Sequence, residues 1–467
     1  MSFNTLRYGA VFCILAAQMF AIRDGIAQPE QLISFTSAVA YALRHNPTVR
    51  GSATSIEAAH GGVKQANSLS WPRLALEFHG ARSDNPLSVF GYKLSQGNAT
   101  FADFGAAQYL GPESLYIKPY GLNHPGYYTN LDTAFKLSMP LYAGGKITAQ
   151  QQSARALLLA ARHGNQQARN QLAYELYVAY EGFLTARQLC TIASQQVARA
   201  ENFLSMSRAL KQQSVTLESD ILLAEAYLNH AKLGFANAQL QAEQQLDRFK
   251  TLMGAPDREF RPKAHTDLAK KHPDLTVLLS QALHYNASIR ALCSKVDAEK
   301  ANMLASRALY KPQVNLQLRH DWNGNTLGAG LPSDTVALGA SWTLFAAGGN
   351  AGAVQTATAN AKKAQFELDE QRNQLRFMLK QLIRDESQWR YTEALSHDMT
   401  QKEQAAIDKL IQRLGRGLVP LGALLESQMK LTQSKAQALQ ANYQLRLTRA
   451  QMLMLTNQLI PKATHQR

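Results

Sequence analysis

The chain is poor in cysteine and has no long apolar segment beyond its first 27 residues. Only three of its 467 residues are cysteines, and only Cys190 and Cys293 lie after the N-terminal segment. Two cysteines without metal-ligand spacing exclude a disulfide framework and a zinc site. No later stretch approaches ~18 uninterrupted apolar residues, so the sequence excludes helical membrane spans.

The sequence also lacks the motifs of the common enzyme classes. It contains no Gly-Xaa-Ser-Xaa-Gly elbow, no His-Glu-Xaa-Xaa-His pair and no glycine-rich phosphate loop with its lysine. The 12 histidines are dispersed, and Met429, Met452 and Met454 fall at helical spacing, where methionine usually fills a core. We therefore predict that the protein is not an enzyme and has no catalytic residue, cofactor or bound metal.

The N-terminus has the pattern of a secretory signal peptide over residues 1–27. Arg7 precedes an apolar run from Tyr8 to Ile22, and Gly25-Ile-Ala27 supplies the small residues of a cleavage site. The formal net charge of +15 is scattered along helical patterns. Because a secreted protein is separated from the DNA of the cell, we expect no nucleic-acid partner. The positive charge instead favours an anionic lipid surface, a protein partner or the transported molecule.

The most informative feature that is present is an internal duplication. Residues 41–50 recur as 281–290 at an offset of 240, and Arg169-Asn-Gln-Leu172 recurs as Arg372-Asn-Gln-Leu375 at an offset of 203. Ordered anchors of this kind indicate a duplicated structural unit. We place the first repeat at 28–254 and the second at 275–458. A polar, basic linker at 255–274 joins them, and 459–467 form a C-terminal tail.

Each repeat predicts two short helices, two strands and two long helices. The short helices lie at 32–45 and 47–70, and again at 275–285 and 287–310. Four segments then alternate apolar and polar residues, at about 72–82, 129–142, 312–322 and 334–345. A strand about ten residues long with one apolar face is typical of an outer-membrane barrel, with an amphipathic soluble sheet as the alternative.

The long helices are predicted at about 147–213 and 217–253, and at 351–413 and 421–457. The first contains no proline and would extend roughly 100 Å at 1.5 Å per residue. Their Ala, Gln and Leu content favours coiled-coil packing. Four strands cannot close a barrel, which needs about eight, and open edges in lipid leave backbone groups unpaired. The subunit must combine with its own copies, and the residues alone leave a dimer and a trimer open.

The two repeats differ mainly between their strands. Pro72 and Pro140 are 68 residues apart, whereas the matching Pro312 and Thr343 are 31 apart, so the first repeat carries 37 more. The additional residues lie in about 83–128 and are rich in Gly, Asn, Pro and aromatic residues. Since barrel proteins place their long loops outside, we predict an extracellular loop there.

Taken together, these features resemble the TolC family of outer-membrane efflux proteins. The resemblance rests on the duplicated plan, on Pro140-Leu-Tyr-Ala-Gly-Gly-Lys146 where a strand meets a long helix, and on Leu424-Leu-Glu-Ser-Gln-Met-Lys-Leu431. It implies a mainly α fold with a membrane β-barrel part. The subunit would form a homotrimer with a 12-stranded barrel in the outer membrane and a 12-helix α-barrel in the periplasm. It also implies a periplasmic adaptor and an inner-membrane pump as partners, docking at the helix tips.

The resemblance points to the two turns between the long helices as the functional tips. The family's inward-facing acidic pair matches Ala423 and Glu426, so one carboxylate remains. Three copies of Glu426 would form a negative ring, with a solvated surface residue as the alternative. The positions of the family's Tyr–Arg latch hold apolar residues here, so a gate would depend on packing of Leu414, Val419 and Leu421. The adaptor-docking positions are Ser214, Val215, Gly417 and Pro420.

The function implied is passive conduction through the exit duct of a tripartite efflux pump or a type I secretion system. Such a duct would open at its periplasmic tips. A self-standing porin and an envelope-anchored coiled-coil protein are the alternatives. The exported molecule, whether drug, metal ion or protein, stays open.

Overall fold

The computed structural model describes residues 31–212, 217–266, 268, 274–414, 416 and 418–460. These residues form two compact units. The sheet unit comprises Ser52–Asn165 and Ala287–Gln374. The core unit comprises the chain up to Gly51, Gln166–Asn286 and the chain from Leu375 onward. Each repeat contributes to both units.

As far as the structure describes it, the first repeat contains three strands and six helices. In chain order they are β1 Gln31–Ile33, α1 Phe35–His45, α2 Pro47–Ser68, β2 Arg73–Ser83, α3 Pro86–Ser95, α4 Tyr120–Asn123, β3 Tyr128–Tyr142, α5 Lys146–Gln212 and α6 Glu218–Met253. Short 3₁₀ turns connect α3 to α4. The first described element is the strand β1, whereas the sequence predicted a helix from residue 32.

The second repeat follows the same plan without the helices between its sheet strands. Its elements are α7 Leu275–Tyr285, α8 Ala287–Arg307, β5 Gln313–Thr326, β6 Ala329–Ser341, α9 Gly349–Leu414 and α10 Leu421–Leu455, and β4 Phe260–Pro262 precedes them in the segment between the repeats. The long helices α5 and α9 have 67 and 66 residues. Among the described residues, no helix combines the length and apolar character needed to cross a membrane.

The sheet unit is built on a four-stranded antiparallel sheet in the order β2-β3-β5-β6. Paired residues of antiparallel strands project to the same face, and the register runs Glu77↔Ala134, Ala134↔Asp321 and Asp321↔Ser333. The sheet therefore has one polar face and one apolar face. The apolar face carries Leu74, Leu76, Phe78, Phe135, Leu137, Met139, Leu316, Leu318, Trp322, Val336, Leu338 and Ala340.

A polar histidine–aspartate pair interrupts the apolar face. His320 is opposite Asp334 in the register, and its Nδ1 lies 2.5 Å from Oδ1 of Asp334. The His320 ring also meets the indole of Trp322 edge to face, with 4.3 Å between the ring centroids. The pair lies towards the end of the sheet where the two-residue turn joins β5 to β6, so it limits the purely apolar band at that end.

The core unit is centred on two tyrosines of α5. Tyr177 and Tyr180 are almost fully buried with Phe249 and Met253 of α6. The Tyr180 hydroxyl donates to the carbonyl of Ala264 at 2.9 Å, and β1 pairs in parallel with β4. The segment 255–274 was expected to be a polar linker. As far as it is described, it is instead a packed part of this core, because β4 needs β1 as its hydrogen-bonding partner.

Two asparagines hold equivalent places in the two repeats. Asn46 ends α1 and donates from Nδ2 to the carbonyl of Leu252 at 2.9 Å. Asn286 ends α7 and donates in the same way to Leu455 at 3.1 Å. The asparagines are 240 residues apart and their acceptors 203 apart, which are the two offsets of the duplication. Each asparagine satisfies a carbonyl in the last turn of a long helix, which has no partner within the helix.

Candidate functional site

The polar face of the sheet carries a connected set of charged side chains. The guanidinium of Arg319 contacts the carboxylates of Glu77 at 3.5 Å, Asp321 at 3.3 Å and Asp132. Lys136 adds a contact of 3.3 Å to Glu77. The charges are partly exposed and mutually paired, so this face is suited to contact with water.

The opposite face exposes large apolar side chains. Val336 is 73% exposed and Leu338 is 68% exposed. A contiguous apolar surface of this size marks contact with a membrane or another protein rather than with water. The outer strands β2 and β6 each present one backbone edge, and β6 is exposed along its whole length. The apolar face needs an apolar surface to cover it, and each of the two edges needs a further strand to pair its backbone groups.

The described ends of the long helices are joined by a second apolar cluster. It contains the predicted gate residues Leu414 and Leu421, which are 9% and 6% exposed, and Val419 packs against it. Phe203 of α5 and Ile221 of α6 belong to the same cluster. The structure thus brings the three predicted residues together, and it places them inside the subunit, where they tie the four helix ends to each other.

The turn between α9 and α10 is built around Pro420. This residue is exposed and extended, with φ −71° and ψ 151°, and its carbonyl accepts a hydrogen bond from the amide of Ala423 at 3.2 Å. Leu418 on the same turn is 67% exposed. The other predicted docking residues, Ser214, Val215 and Gly417, lie outside the described residues.

Asp220 stabilises the start of α6, since its Oδ2 accepts from the amide of Leu217 at 3.3 Å.

Glu426 lies on the exposed side of α10 and has a partner that the sequence analysis missed. The Nζ of Lys430 lies 2.7 Å from its Oε1. This hydrogen bond and the charge of Lys430 lower the pKa of Glu426 below its usual value. The i, i+4 spacing of the two residues is a signal that could have found the pair. Any negative ring formed by Glu426 would therefore be accompanied by a ring of lysines.

Further along α10, glutamine side chains on the same face line a cavity. Gln433, Gln437 and Gln440 continue the helical face of Glu426 and Lys430 and line a cavity of about 460 Å³ with residues of α5 and α6. Gly182 keeps this space open, because a Cβ there would lie 2.9 Å from Oε1 of Gln245. Uncharged amides can hydrogen-bond water and many solutes without fixing any of them strongly.

The core unit also contains two buried carboxylates that sequence reasoning did not single out. Glu181 is fully buried, with the Nδ1 of His265 at 2.6 Å and the amide of Thr266 at 2.9 Å. Glu386 is 1% exposed and accepts from the Nε of Arg449 at 2.9 Å. Buried charges need such partners, so these contacts fix the packing of α5, α9 and α10.

The sequence matches the model of a known protein family. The model of the outer membrane efflux protein family matches residues 39–255 and 278–458, one segment in each repeat. The chain belongs to the outer membrane efflux protein family. The predicted resemblance is thereby confirmed, as is the mainly helical, internally duplicated subunit with barrel-type strands. A search of curated proteins finds no match.

Several solved structures share the fold at low identity. CusC, described in a study of folding and transmembrane channel formation, is 14% identical with a TM-score of 0.77, covering 94% of this chain and 95% of its own. VceC of Vibrio cholerae is 15% identical with a TM-score of 0.76, covering 91% and 96%. The open state of the MtrE channel of Neisseria gonorrhoeae is 15% identical with a TM-score of 0.73, covering 91% and 89%.

Proposed function

We propose that three copies of the chain form the exit duct of an efflux or secretion system in the outer membrane. The observation that carries the proposal is the sheet, with a charged face, an exposed apolar face and two outer strands. Joining β6 of one copy to β2 of the next would pair both edges. The apolar face would then contact lipid and the charged face would line an aqueous lumen.

The charged face favours three copies over two. Two copies would supply eight strands, and an eight-stranded barrel is filled by its own side chains. The paired charges of Glu77, Arg319 and Asp132 would be costly in such a dry interior. Three copies would supply twelve strands and a lumen wide enough to keep these groups hydrated.

The long helices would extend the duct into the periplasm. β3 leads into α5 through Ala143-Gly-Gly145, and β6 is followed by α9, so each long helix begins close to a barrel strand in the chain. At 1.5 Å per residue, a helix of 67 residues spans on the order of 100 Å. Each copy contributes four long helices, α5, α6, α9 and α10. The twelve helices of three copies would form an α-barrel through the periplasm, and conduction along it would be passive.

The tips would act as the gate and the docking region. The apolar cluster of Leu414, Val419 and Leu421 would hold the helix ends together in the closed state. Glu426 would face the axis and attract cations, moderated by Lys430. A periplasmic adaptor and an inner-membrane pump would engage the two turns, including Ser214, Val215, Gly417 and Pro420, and draw the ends apart.

Planar-bilayer recording on the purified full-length protein tests the duct. The wild type should conduct weakly, and Leu421→Asp should conduct several-fold better because it places a charge in the tip cluster. Leu418→Asp is the matched control, since the same change on an exposed side chain of the same turn should leave conductance unchanged. A wild type that conducts fully without partners would favour a porin. No conductance from any variant would favour an envelope-anchored coiled-coil protein.

A further inference from the structure

Residues 84–127, which we name the mouth segment, form an ordered substructure between β2 and β3. Helix α3 begins with Asn85, whose side chain accepts from the amide of Leu87 at 3.1 Å. Lys93 of α3 binds Asp103 with 2.5 Å between Nζ and Oδ1, and this hydrogen bond lowers the pKa of Asp103 to about 2. Gly105, at φ +84°, allows the chain to pass Pro119 at a distance that any Cβ would prevent. The segment thus has its own internal contacts.

A chain of side-chain amides fixes the mouth segment to the polar face of the sheet. Gln96, which is 8% exposed, donates from Nε2 to the carbonyl of Thr129 and to Oδ1 of Asn130, both at 2.9 Å. Asn130 in turn donates to Oδ1 of Asn323 at 2.9 Å. Asn130 and Asn323 lie on the same face as Asp132 and Asp321. The mouth segment therefore crosses the charged face and not the apolar one.

The mouth segment also exposes large apolar side chains. Phe101 is 87% exposed, Leu110 is 89% exposed and Tyr116 is 94% exposed. Side chains of this kind, grouped in one substructure, mark a surface that is covered by another protein or by membrane. Because Gln96 anchors it to the polar face, the mouth segment lies on the side of the sheet opposite to the apolar face. In a closed barrel, the space on that side is shared with the other copies of the same segment.

We propose that the three mouth segments meet at the axis of the barrel and close its outer end to bulky molecules while small ions still pass, with their exposed aromatic and aliphatic side chains packed against one another. This inference rests on the proposed trimeric duct and adds to it a second closure, separate from the one at the helix tips. The occupant of the apolar surface is then a second and a third copy of residues 84–127. The closure belongs to the first repeat alone, because β5 and β6 are joined by Leu327 and Gly328 only.

Thiol labelling of whole cells tests the closure from outside, independently of the helix tips. Thr335→Cys places a thiol on the polar face, and Val336→Cys places one on the apolar face next to it. Both are made in a background with Cys190→Ser and Cys293→Ser, which serves as the blank. A bulky, membrane-impermeant maleimide should label Thr335→Cys slowly. Replacing residues 84–127 by a Leu-Gly turn should accelerate labelling at least tenfold.

Gln96→Leu provides a second variant in case the deletion fails to fold. It removes the contacts to Thr129 and Asn130 and should also accelerate labelling of Thr335→Cys, while Val336→Cys stays unlabelled throughout. Equally fast labelling with and without the mouth segment would overturn the closure and leave the duct intact. Labelling of Val336→Cys but not of Thr335→Cys in every variant would reverse the two faces and overturn the duct itself.

Oxidative cross-linking tests the identity of the occupant. Tyr116→Cys in the same cysteine-free background should form disulfide-linked dimers between copies when cells are treated with a mild oxidant. Leu327→Cys is the matched control, because this exposed residue lies in the short turn at the same end of the sheet and should stay monomeric. Dimers of Tyr116→Cys alone support contact between mouth segments. Monomers of both variants would show that another molecule covers the surface.

Discussion

The two repeats use the same scaffold but differ at both ends of it. Asn46 and Asn286 make the same bond to the last turn of a long helix, one in each repeat. By contrast, β2 and β3 are separated by the mouth segment, whereas β5 and β6 are separated by two residues. At the tips, the first repeat has ion pairs between α5 and α6, and the second has Pro420 and the exposed Glu426–Lys430 pair.

This contrast indicates that the duplicated residues form the common scaffold of helices and strands. These differences between the repeats lie where the proposed duct would open. The residues shown to repeat in structure, Asn46 and Asn286, lie at helix ends, whereas the mouth segment and the Glu426–Lys430 pair belong to one repeat each. Two of the following predictions compare equivalent residues of the two repeats, and two concern residue pairs that belong to one repeat only.

The largest effect is expected in the apolar cluster at the tips. Leu424 and Ile221 are equivalent at the offset of 203, belong to the same cluster, and are 1% and 8% exposed. Leu424→Ala and Ile221→Ala should each reduce the free energy of local opening by about 2–5 kcal/mol, measured by native-state hydrogen exchange. Leu222→Ala, at a residue that is 59% exposed, should change it little. A loss confined to Leu424→Ala would mean that only the second tip is held by this cluster.

The paired asparagines should give the next largest effect. Asn46→Ala and Asn286→Ala each remove a buried hydrogen bond to a helix end and should cost about 1–3 kcal/mol of unfolding free energy. Denaturant midpoints measured under identical conditions would check this. Asn202→Ala, at an exposed position of α5, is the control and should have almost no effect. Clearly unequal losses for the two asparagines would contradict their structural equivalence.

A smaller effect, with opposite signs for two neighbours, is expected at the second tip. Glu426→Gln should weaken the block of a conducting channel by multivalent cations several-fold, and Lys430→Gln should strengthen it. Because Lys430 lowers the pKa of Glu426, the block should persist below the usual titration range of a carboxyl near 4.5 and vanish at still lower pH. In Lys430→Gln it should vanish at a higher pH. Recordings that show no change in either variant would place the pair outside the lumen.

The smallest effect is expected at the tip of the first repeat. Arg208 and Glu225 form an ion pair of 2.8 Å between α5 and α6, with side chains that are 60% and 41% exposed. Glu225→Gln should therefore change the unfolding free energy by less than about 1 kcal/mol, and high salt should erase the difference. A larger loss that persists in high salt would give this tip a rigid electrostatic latch that the second tip lacks.

Much of the fold could be predicted because it is periodic. The long helices and the alternating strands follow from local patterns, and the register confirms that the predicted apolar residues share one face. The end of the β5–β6 hairpin was harder to predict. Both strands extend to Thr326 and Ala329, and the backbones approach so closely that a Cβ on Gly324 would lie 2.2 Å from the carbonyl oxygen of Ala329. Nothing in the alternation indicates such an approach.

The contacts that depend on distant residues could not be predicted from the sequence. The chain of amides from Gln96 through Asn130 to Asn323 joins residues up to 193 positions apart. Single charges such as Glu181 and Glu386 are usually solvated when they occur in a helical pattern, and only the packing shows that they are buried. The gate residues were found through the family resemblance, and their burial inside one subunit became evident only from the structure.

The composition of the core unit has a consequence for the order in which the chain can fold. Its apolar cluster combines Ile33 and Phe35 near the N-terminus with Leu459 and Ile460 near the C-terminus. Contacts between residues so far apart form only after the intervening chain is available, and they slow folding because a large loop must close first. A chain synthesised from its N-terminus therefore cannot complete this core until its last helix is available.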